Sequence, residues 1–364
     1  VRRAARGREL HGELSATARS TTTFDGEILE EDPVKDDQLR LIFTCCHPAL
    51  RTEHQIALTL RLLGGLGVDE IARSFLTSET AMAKRLVRAK YKIKAAKIPY
   101  RVPAGADLPE RLRSVLSVIY LIYNTGADDP ERASLRADAV RLARALAGLM
   151  PEEPEAIGLL ALMLLSESRA AARMVDGSPV LLADQDRSRW DAELIAEGHD
   201  LVRRCIRRGR PGPYQLQASI QAVHCAAESV EDTDWSQIVA IYDQLSIFLP
   251  TPVVALNRAI AVGERDGPAE ALRALDDLAT DLDGYHPLHA ARGTMLRRLG
   301  RLDESKAAFH AAARMATTNV VLRSIATQID ELVASGARCV PRATFPNPSF
   351  MSCPQKVDSG LPRL

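Results

Sequence analysis

The sequence predicts an all-α protein in which a helix-turn-helix domain is followed by a domain of helical repeats. Ala, Leu and Arg enter helices at little cost and are abundant here, whereas aromatic residues make up only 4% of the chain. A short helical pattern and a strongly basic one are separated only by Leu76-Thr77. In the last third of the chain, apolar positions recur with the spacing of a helix-pair repeat.

Composition and charge exclude several classes of protein. The 364 residues include 47 Lys and Arg against 47 Asp and Glu, so net charge predicts no partner. Six cysteines are too few for the disulfide framework of a secreted protein, which indicates reduced thiols and a cytoplasmic location. No apolar run reaches membrane-spanning length, and no signal-peptide core follows the charged N-terminus, so we expect no membrane contact.

The first helical patterns lead up to a glycine cluster at residues 64–67. Residues 1–36 change from basic to Ser/Thr-rich to acidic, which we interpret as a remnant helix and a linker. A helix over Asp37–Cys46 is stopped by His47-Pro48, and Thr52 is expected to cap the next helix. The glycine cluster lacks the spacing and the strand context of a phosphate loop, so we expect it to end that helix.

The helix-turn-helix signal lies within a domain expected over residues 37–98. We predict helices over Val68–Phe75 and Ser78–Ala96, with the Ser78 side chain capping the second helix. Ala72 is small at the point where the two helices of such a motif cross. The side chains expected to point inward are Ile71, Ala72, Phe75 and Leu76 from the first helix and Met82, Leu86, Ala89 and Ile93 from the second.

The second of these helices has a basic outer face. In a helix-turn-helix protein it enters the major groove of DNA, led by its N-terminal residues. Thr80 and Lys84 can reach base edges or phosphates there, and the small Ala81 lets the backbone approach closely. Arg85 and Arg88 suit phosphates, which supply affinity without sequence information. The alternative is a solvated face of an ordinary helix. The candidate DNA-binding residues are Ser78, Thr80, Ala81, Lys84, Arg85, Arg88 and Lys92.

A middle helical domain is expected over residues 107–230, after a linker marked by Pro99, Pro103 and Pro109. Asp176-Gly177-Ser178 is expected to form a turn within it. Helical patterns cover Leu108–Tyr123, Glu131–Leu149, Pro154–Met174, Arg189–Arg208 and Tyr214–Glu228.

The segment 231–335 repeats at the tetratricopeptide period. Each such unit buries its apolar face only against its neighbours, so we expect a short right-handed solenoid, with an irregular helical bundle as the alternative. Residues 336–364 lose this periodicity and are expected to be a disordered tail. The equivalent positions are Ile238, Tyr242, Leu245 and Pro250, then Ala271, Leu275 and Leu278, then Ser305, Phe309 and Ala312.

Several motifs resemble the extracytoplasmic-function sigma factors of bacterial RNA polymerase. Asp69-Glu70-Ile71-Ala72, Lys84-Arg85-Leu86 and Arg88-Ala89-Lys90, together with Thr80, are similar to region 4 of these factors. The resemblance covers residues 37–335 and extends to the subgroup with a tetratricopeptide-like C-terminal extension. The segments that carry it, in the same order as in that subgroup, are residues 39–48, 59–66, 184–190 and 212–217.

This resemblance implies that residues 37–97 bind the minus-35 element of promoter duplex DNA and the flap of the polymerase β subunit. It also implies that the DNA-facing helix is the one that carries Thr80, Ala81, Lys84, Arg85 and Arg88. Region 2 of such factors, which melts the downstream promoter element, has no counterpart here. We therefore expect a truncated chain or a misassigned start, and duplex binding rather than promoter melting.

Two groups of potential metal ligands are interpreted as structural. Cys45-Cys46-His47 lacks the Cys-x-x-Cys type of spacing found at structural zinc sites, so we expect buried thiols that act as small apolar side chains. His286 and His289 are three residues apart, but no carboxylate or third ligand lies beside them in the sequence, so we expect packing or surface histidines.

The densest polar cluster outside the helix-turn-helix is Asp184–Trp190. It lacks a nucleophile with a base and a cofactor loop. We expect it to cap the following helix through Asp186 or Ser188 and to anchor that helix with Trp190. The alternative is a docking surface for another domain or a partner.

Together, these patterns and the resemblance to sigma factors predict a sigma-type initiation factor that is not an enzyme and needs no cofactor or metal. The expected partners are the RNA polymerase core through its β flap, promoter duplex DNA, and a peptide or protein ligand of the repeat domain. We expect the helical extension to regulate the DNA-binding domain. A one-component helix-turn-helix regulator is one alternative, and a tetratricopeptide adaptor with an incidental basic helix is another.

Overall fold

A computed structural model describes residues 33–75, 77–127, 133–175, 178–180, 182–316 and 319–335. This part of the chain contains fifteen α-helices and one short β-hairpin, which confirms the predicted all-α class. Two compact units meet in sequence at Leu160, and each is described by itself below. The linker predicted for residues 1–32 and the tail predicted for 336–364 lie outside the described residues.

The first unit contains six helices before the unit boundary. The second of them continues into a π-helical turn, Thr59–Leu63. The helices are α1 (Pro33–Cys45), α2 (Thr52–Leu58), α3 (Val68–Ser74), α4 (Glu79–Ala95), α5 (Asp107–Ala127) and α6 (Ala133–Leu149).

Two predicted helix ends in this unit are confirmed, and one predicted N-cap residue is wrong. Helix α1 ends at Cys45, and only Cys46 separates it from His47-Pro48. The glycine cluster ends the second helix, since Gly65 takes a left-handed φ of 70° that other residues rarely adopt. Thr52 is not the cap of α2. Arg51 occupies that position in extended conformation and contributes no side-chain hydrogen bond, so Thr52 is the first helical residue.

Arginines from α5 and α6 satisfy carbonyl groups at the ends of earlier helices. Arg111 donates to the carbonyl oxygen of Phe43 near the end of α1, at 2.6 Å. Arg141 donates to the carbonyl oxygens of Leu63 and Gly64 after the π-helical turn, at 3.3 and 2.9 Å. Because the last carbonyls of a helix have no partner within it, these bonds join α5 and α6 to the helix-turn-helix region.

The second unit consists mainly of helices, most of which pack against the next helix in the chain. Helix α7 (Pro154–Glu167) contains the boundary between the units and precedes the hairpin β1 (Met174–Val175) and β2 (Ser178–Pro179). The remaining helices are α8 (Ala192–Arg208), α9 (Pro213–Ala226), α10 (Trp235–Phe248), α11 (Pro252–Arg265), α12 (Pro268–Asp277), α13 (His286–Arg298), α14 (Leu302–Met315) and α15 (Asn319–Ser335).

Two predicted helices of this unit have different bounds. The helix expected over Pro154–Met174 ends at Glu167, because a 3-10 turn (Ala170–Ala172) and strand β1 replace its last part. The helix expected from Arg189 begins at Ala192. Of the turn predicted at 176–178, residues 176 and 177 lie outside the described residues.

Most of the predicted repeat positions lie in the cores between successive helices α10 to α15, but Pro250 is exposed between α10 and α11 and Leu278 is only half-buried. Gly293 of α13 lies against the ring of Phe309, and Ser305 donates to the carbonyl oxygen of Gly293 at 2.7 Å. Small residues therefore allow α13 and α14 to approach closely. This packing gives a tetratricopeptide-like helical domain. The buried repeat positions are Ile238, Tyr242 and Leu245, then Ala271 and Leu275, then Ser305, Phe309 and Ala312.

Candidate nucleic-acid interface

The helix-turn-helix is built from α3, a short turn and α4. At the start of α3 the backbone N–H of Gly67 donates to the Glu70 carboxylate. In the turn, the N–H of Thr77 donates to the carbonyl oxygen of Ala72 at 3.0 Å. The Ser78 hydroxyl accepts from the N–H of Ala81 at 3.2 Å, which confirms the predicted cap. Capping at both ends of the turn fixes the direction in which α4 leaves it.

Apolar side chains of α3 and α4 pack against one another and against α2. Ile71 and Ala72 of the first helix are buried, as predicted. Met82, Leu86 and Ala89 of the second are also buried. Phe75 and Ile93, expected to point inward, are only half-buried, and Leu76 lies outside the described residues. A buried seam on one side of α4 leaves the opposite side free to meet a partner.

The predicted DNA-binding residues lie on that opposite side and on the flanks of α4. Six of them are exposed and Arg85 is half-buried. Within the described part of the chain, none of the cations between Lys84 and Lys97 forms an ion pair. An excess of unpaired cations on one helix attracts a polyanion. The exposed residues are Ser78, Thr80, Ala81, Lys84, Arg88 and Lys92.

Two apolar side chains on this face were missed in the sequence. Val87 is 67% exposed and Tyr91 is 74% exposed. They lie one turn apart, opposite the seam of Met82 and Leu86, because four residues make about one turn of an α-helix. Projecting α4 on a helical wheel places both on the side of Lys84. The sequence therefore contained the positions of Val87 and Tyr91 on this face, but an interpretation based only on charged residues does not identify them.

A histidine from α2 lies near the cationic side of α4. Partial burial lowers the pKa of His54, and the neighbouring cations Arg51, Arg85 and Arg88 lower it further, against the opposing effect of Glu53. His54 is therefore neutral at physiological pH and adds no charge to the interface.

Comparison with known proteins identifies the chain's relatives. A protein of Rhizobium meliloti (strain 1021), itself uncharacterized, is 46% identical over 309 residues, which cover 83% of this chain and 73% of that protein. The chain belongs to the family of this protein. Residues 40–93 match sigma-70 region 4, and residues 111–206 match a family of unknown function, DUF6596.

The region 4 match of this family member begins within α1 and ends within α4. It covers residues 40–93 and includes every candidate DNA-binding residue. Among solved structures, the P58(IPK) TPR domain aligns at 11% identity over 83% of this chain and 80% of that one, with a TM-score of 0.26. This likeness is too low to add to the fold described above.

The two vicinal cysteines of the region 4 domain are buried. Burial raises the pKa of both thiols, that of Cys46 to about 12, so both remain protonated at physiological pH. The Cys46 Sγ lies 3.6 Å from the Thr59 hydroxyl. Both side chains therefore act as small apolar groups, as predicted.

The other group of potential ligands was His286 and His289. A ring nitrogen of His289 forms a hydrogen bond of 2.7 Å with the carbonyl oxygen of Asp283.

The Asp184–Trp190 segment has a structural role in the second unit. Asp186 accepts from the backbone N–H of Ser188 and so caps a 3-10 turn, not the following helix. Because that turn intervenes, α8 is capped by Asp191, which accepts from two backbone N–H groups at 3.0 Å. Trp190 is buried, with the guanidinium of Arg187 4.4 Å from its ring centroid, and this agrees with the predicted anchor.

Within the described residues, no helix is both long and apolar enough to cross a bilayer.

Proposed function

We propose that this chain is a sigma-type transcription initiation factor whose region 4 domain binds duplex DNA at the upstream promoter element. The observation that carries the proposal is a coincidence of two features. The sigma-70 region 4 match ends within α4, and α4 carries a row of unpaired cations on the face away from the core.

In this proposal α4 enters the major groove with its N-terminal residues leading. Thr80, Ala81 and Lys84 lie in its first turns, where a recognition helix contacts base edges. Arg85, Arg88 and Lys92 follow on its flanks and suit phosphates, which fix the helix in register. The positive end of the helix dipole adds attraction at Ser78, since free N–H groups at a helix N-terminus favour anions.

In this proposal the RNA polymerase core is the second partner, contacted through its β flap by α1 to α4. The helical extension regulates the region 4 domain, and its tetratricopeptide-like helices offer a surface to a peptide or another protein. The proposal assigns the chain no catalytic step, cofactor or metal, and places it in the cytoplasm with its DNA.

Binding to the polymerase core separates this function from that of a one-component regulator. The purified chain is mixed with bacterial core polymerase and run on a gel-filtration column, with and without an excess of a housekeeping sigma factor. We expect the chain to elute with core polymerase and to be displaced by the competitor, because both use the flap.

A chain that binds duplex DNA but never elutes with core polymerase would be a one-component regulator instead. A chain that does neither would be an adaptor, and the basic face of α4 would be a solvated surface. The readout requires only binding, so it does not depend on promoter melting.

A further inference from the structure

The last two turns of α8 and the residue pair after them carry five arginines within eight positions. We define the arginine patch as Arg203, Arg204, Arg207, Arg208 and Arg210. The sequence contains no Asp or Glu between Asp200 and Glu228, so no carboxylate follows the patch along the chain for several turns. This charge is outside region 4 and plays no part in the function proposed above.

The arginine patch is presented on a rigid support. The inner side of α8 is buried through Leu201, Val202 and Cys205. Gly198 lies so close to Leu165 that a Cβ atom there would meet its side chain at 2.5 Å. Asp191 caps the start of the helix, and Gly209, with a left-handed φ of 61°, ends it. The patch is therefore held on an ordered helix end.

Most of the patch faces solvent. Arg203, Arg204, Arg207 and Arg210 are exposed, and Arg208 is half-buried. Arg203 pairs with Asp200, whereas Arg204 and Arg207 form no ion pair with any described residue. Favourable interaction with the helix dipole accounts for one or two cations in the last turn. It does not account for this density.

An exposed apolar side chain lies at the edge of these charges. Ile206 is 67% exposed and, around the helix, lies between the buried Val202 and Arg203. A patch that combines arginines with an exposed aliphatic group matches a surface with both anionic and apolar parts. The sugar-phosphate backbone of a nucleic acid is such a surface, since its phosphates alternate with deoxyribose carbons.

We propose that the arginine patch binds the phosphate backbone of duplex DNA as a second, sequence-independent contact of this chain. Arg203 and Arg207 lie about 6 Å apart along the helix axis, and a DNA strand presents a phosphate about every 3.4 Å of rise. One strand can therefore be contacted by both side chains. Arginine binds phosphate in two-pronged geometry.

Duplex DNA fits the patch better than an acidic polypeptide does, and this choice rests on the proposed function of region 4. A chain that already holds DNA through α4 presents the patch at a high effective concentration of phosphate. Two weak backbone contacts on one chain then reinforce each other whenever a duplex is long enough to reach both.

The test measures binding of the full chain to a fluorescent duplex of several helical turns and arbitrary sequence, by anisotropy over a range of salt concentrations. We expect R203Q/R204Q/R207Q to bind roughly tenfold more weakly or worse, with the log–log salt slope lowered by about 2 to 3, because each lost phosphate contact removes about 0.9. The charge-conserving R203K/R204K/R207K should keep the slope.

The matched control is R258Q/R265Q/R273Q, which removes the same charge from arginines that are already paired with Asp243, Asp266 and Glu270. Its affinity for DNA and its log–log salt slope should stay near those of wild type. Equal losses in the control and the patch variant would overturn the proposal, because bulk charge would then explain both. Circular dichroism of each variant checks that its helix content matches that of wild type.

A parallel K84A/R85A/R88A variant separates this proposal from the function of region 4. Loss of binding in the α4 variant with none in the patch variant overturns the patch and leaves region 4 intact. Loss in the patch variant alone supports the patch and contradicts the function proposed for α4. If the patch variant keeps DNA affinity but loses binding to poly-L-glutamate, an acidic polypeptide is the occupant and the proposal is overturned.

Discussion

The hydroxyl of Ser78 accepts a hydrogen bond of 3.2 Å from the backbone N–H of Ala81, and both residues lie on the exposed start of α4. This bond satisfies a backbone donor that an uncapped helix would leave to water. The cap therefore holds in place the turn from which Thr80 and Lys84 project.

Replacing Ser78 with Ala removes the cap. We expect the region 4 domain to lose about 1 kcal/mol of stability, because a serine cap contributes about that much. Hydrogen exchange at the amides of the first turn of α4 measures the loss locally. Ser78→Asp is the control, since its carboxylate can accept the same bond. Unchanged protection in Ser78→Ala would show that the hydrogen bond contributes nothing to the turn.

Val87 is expected to read a base edge without contributing to nonspecific affinity. If α4 enters the major groove as proposed, the exposed methyl groups of Val87 suit contact with a thymine methyl. Val87→Ser should leave the salt slope of DNA binding unchanged, because no charge is lost. It should change the preferred base at one position when binding sites are selected from a random duplex library. An identical selected sequence would exclude Val87 from readout.

Gly293→Ala is expected to destabilise the repeat domain. A Cβ atom there would lie 3.0 Å from three ring carbons of Phe309, so this fully buried ring would have to shift. Overpacking of this kind costs about 1 to 3 kcal/mol, which outweighs the gain of up to about 1 kcal/mol from placing Ala in a helix. Urea unfolding followed by circular dichroism measures the difference.

Two further variants show whether the Phe309 ring causes that loss. Adding Phe309→Leu to Gly293→Ala should restore part of the stability lost, relative to Phe309→Leu alone. Gly148→Ala in α6 is the matched glycine, because a Cβ atom there meets nothing within 4 Å. It should be neutral or stabilising. A Gly293→Ala protein as stable as wild type would contradict the close approach of α13 and α14.

His224 is expected to make the second unit sensitive to acid. Burial, and then the nearby cations Arg169 and Arg187, lower its pKa to about 3. In the unfolded chain His224 takes up a proton near pH 6.5, whereas in the folded chain it does not. The contribution of the neutral His224 to folding stability is therefore complete above about pH 6.5 and is lost as the pH falls toward about 3. Lowering the pH from about 7 to about 5 should cost about 2 kcal/mol through this residue.

The measurement compares urea unfolding of wild type and His224→Gln at both pH values. Because glutamine does not titrate, the loss of stability between about pH 7 and about pH 5 should be about 2 kcal/mol smaller in the variant than in wild type. The same pH dependence in both proteins would mean that His224 is not held neutral in the folded state.

The spacing of apolar and capping residues in the sequence predicted the features that depend on residues close together in the chain. The spacing of Met82, Leu86 and Ala89 predicted the buried seam of α4, and the position of Ser78 predicted the cap. The repeat positions around Phe309 followed from a period of helix pairs, because each pair must bury the same face. In these cases, the deciding interactions lie within a few turns of one another.

Long-range polar contacts could not be predicted in this way. Arg111 and Arg141 satisfy carbonyl groups of residues 68 to 78 positions earlier in the chain. Nothing local distinguishes them from solvent-facing arginines. The end of α7 at Glu167 was missed for a related reason, since the apolar pattern continues through Ala172 although the backbone leaves the helix.

The most direct test of the account is the salt dependence of duplex binding by the K84A/R85A/R88A variant. If α4 lies in a DNA groove, this change should weaken binding and lower the log–log salt slope by up to about 3, at about 0.9 per lost phosphate contact. R258A/R265A/R273A, with the same loss of charge elsewhere, should bind as wild type does. A K84A/R85A/R88A protein that remains folded and keeps both wild-type affinity and slope would contradict the account.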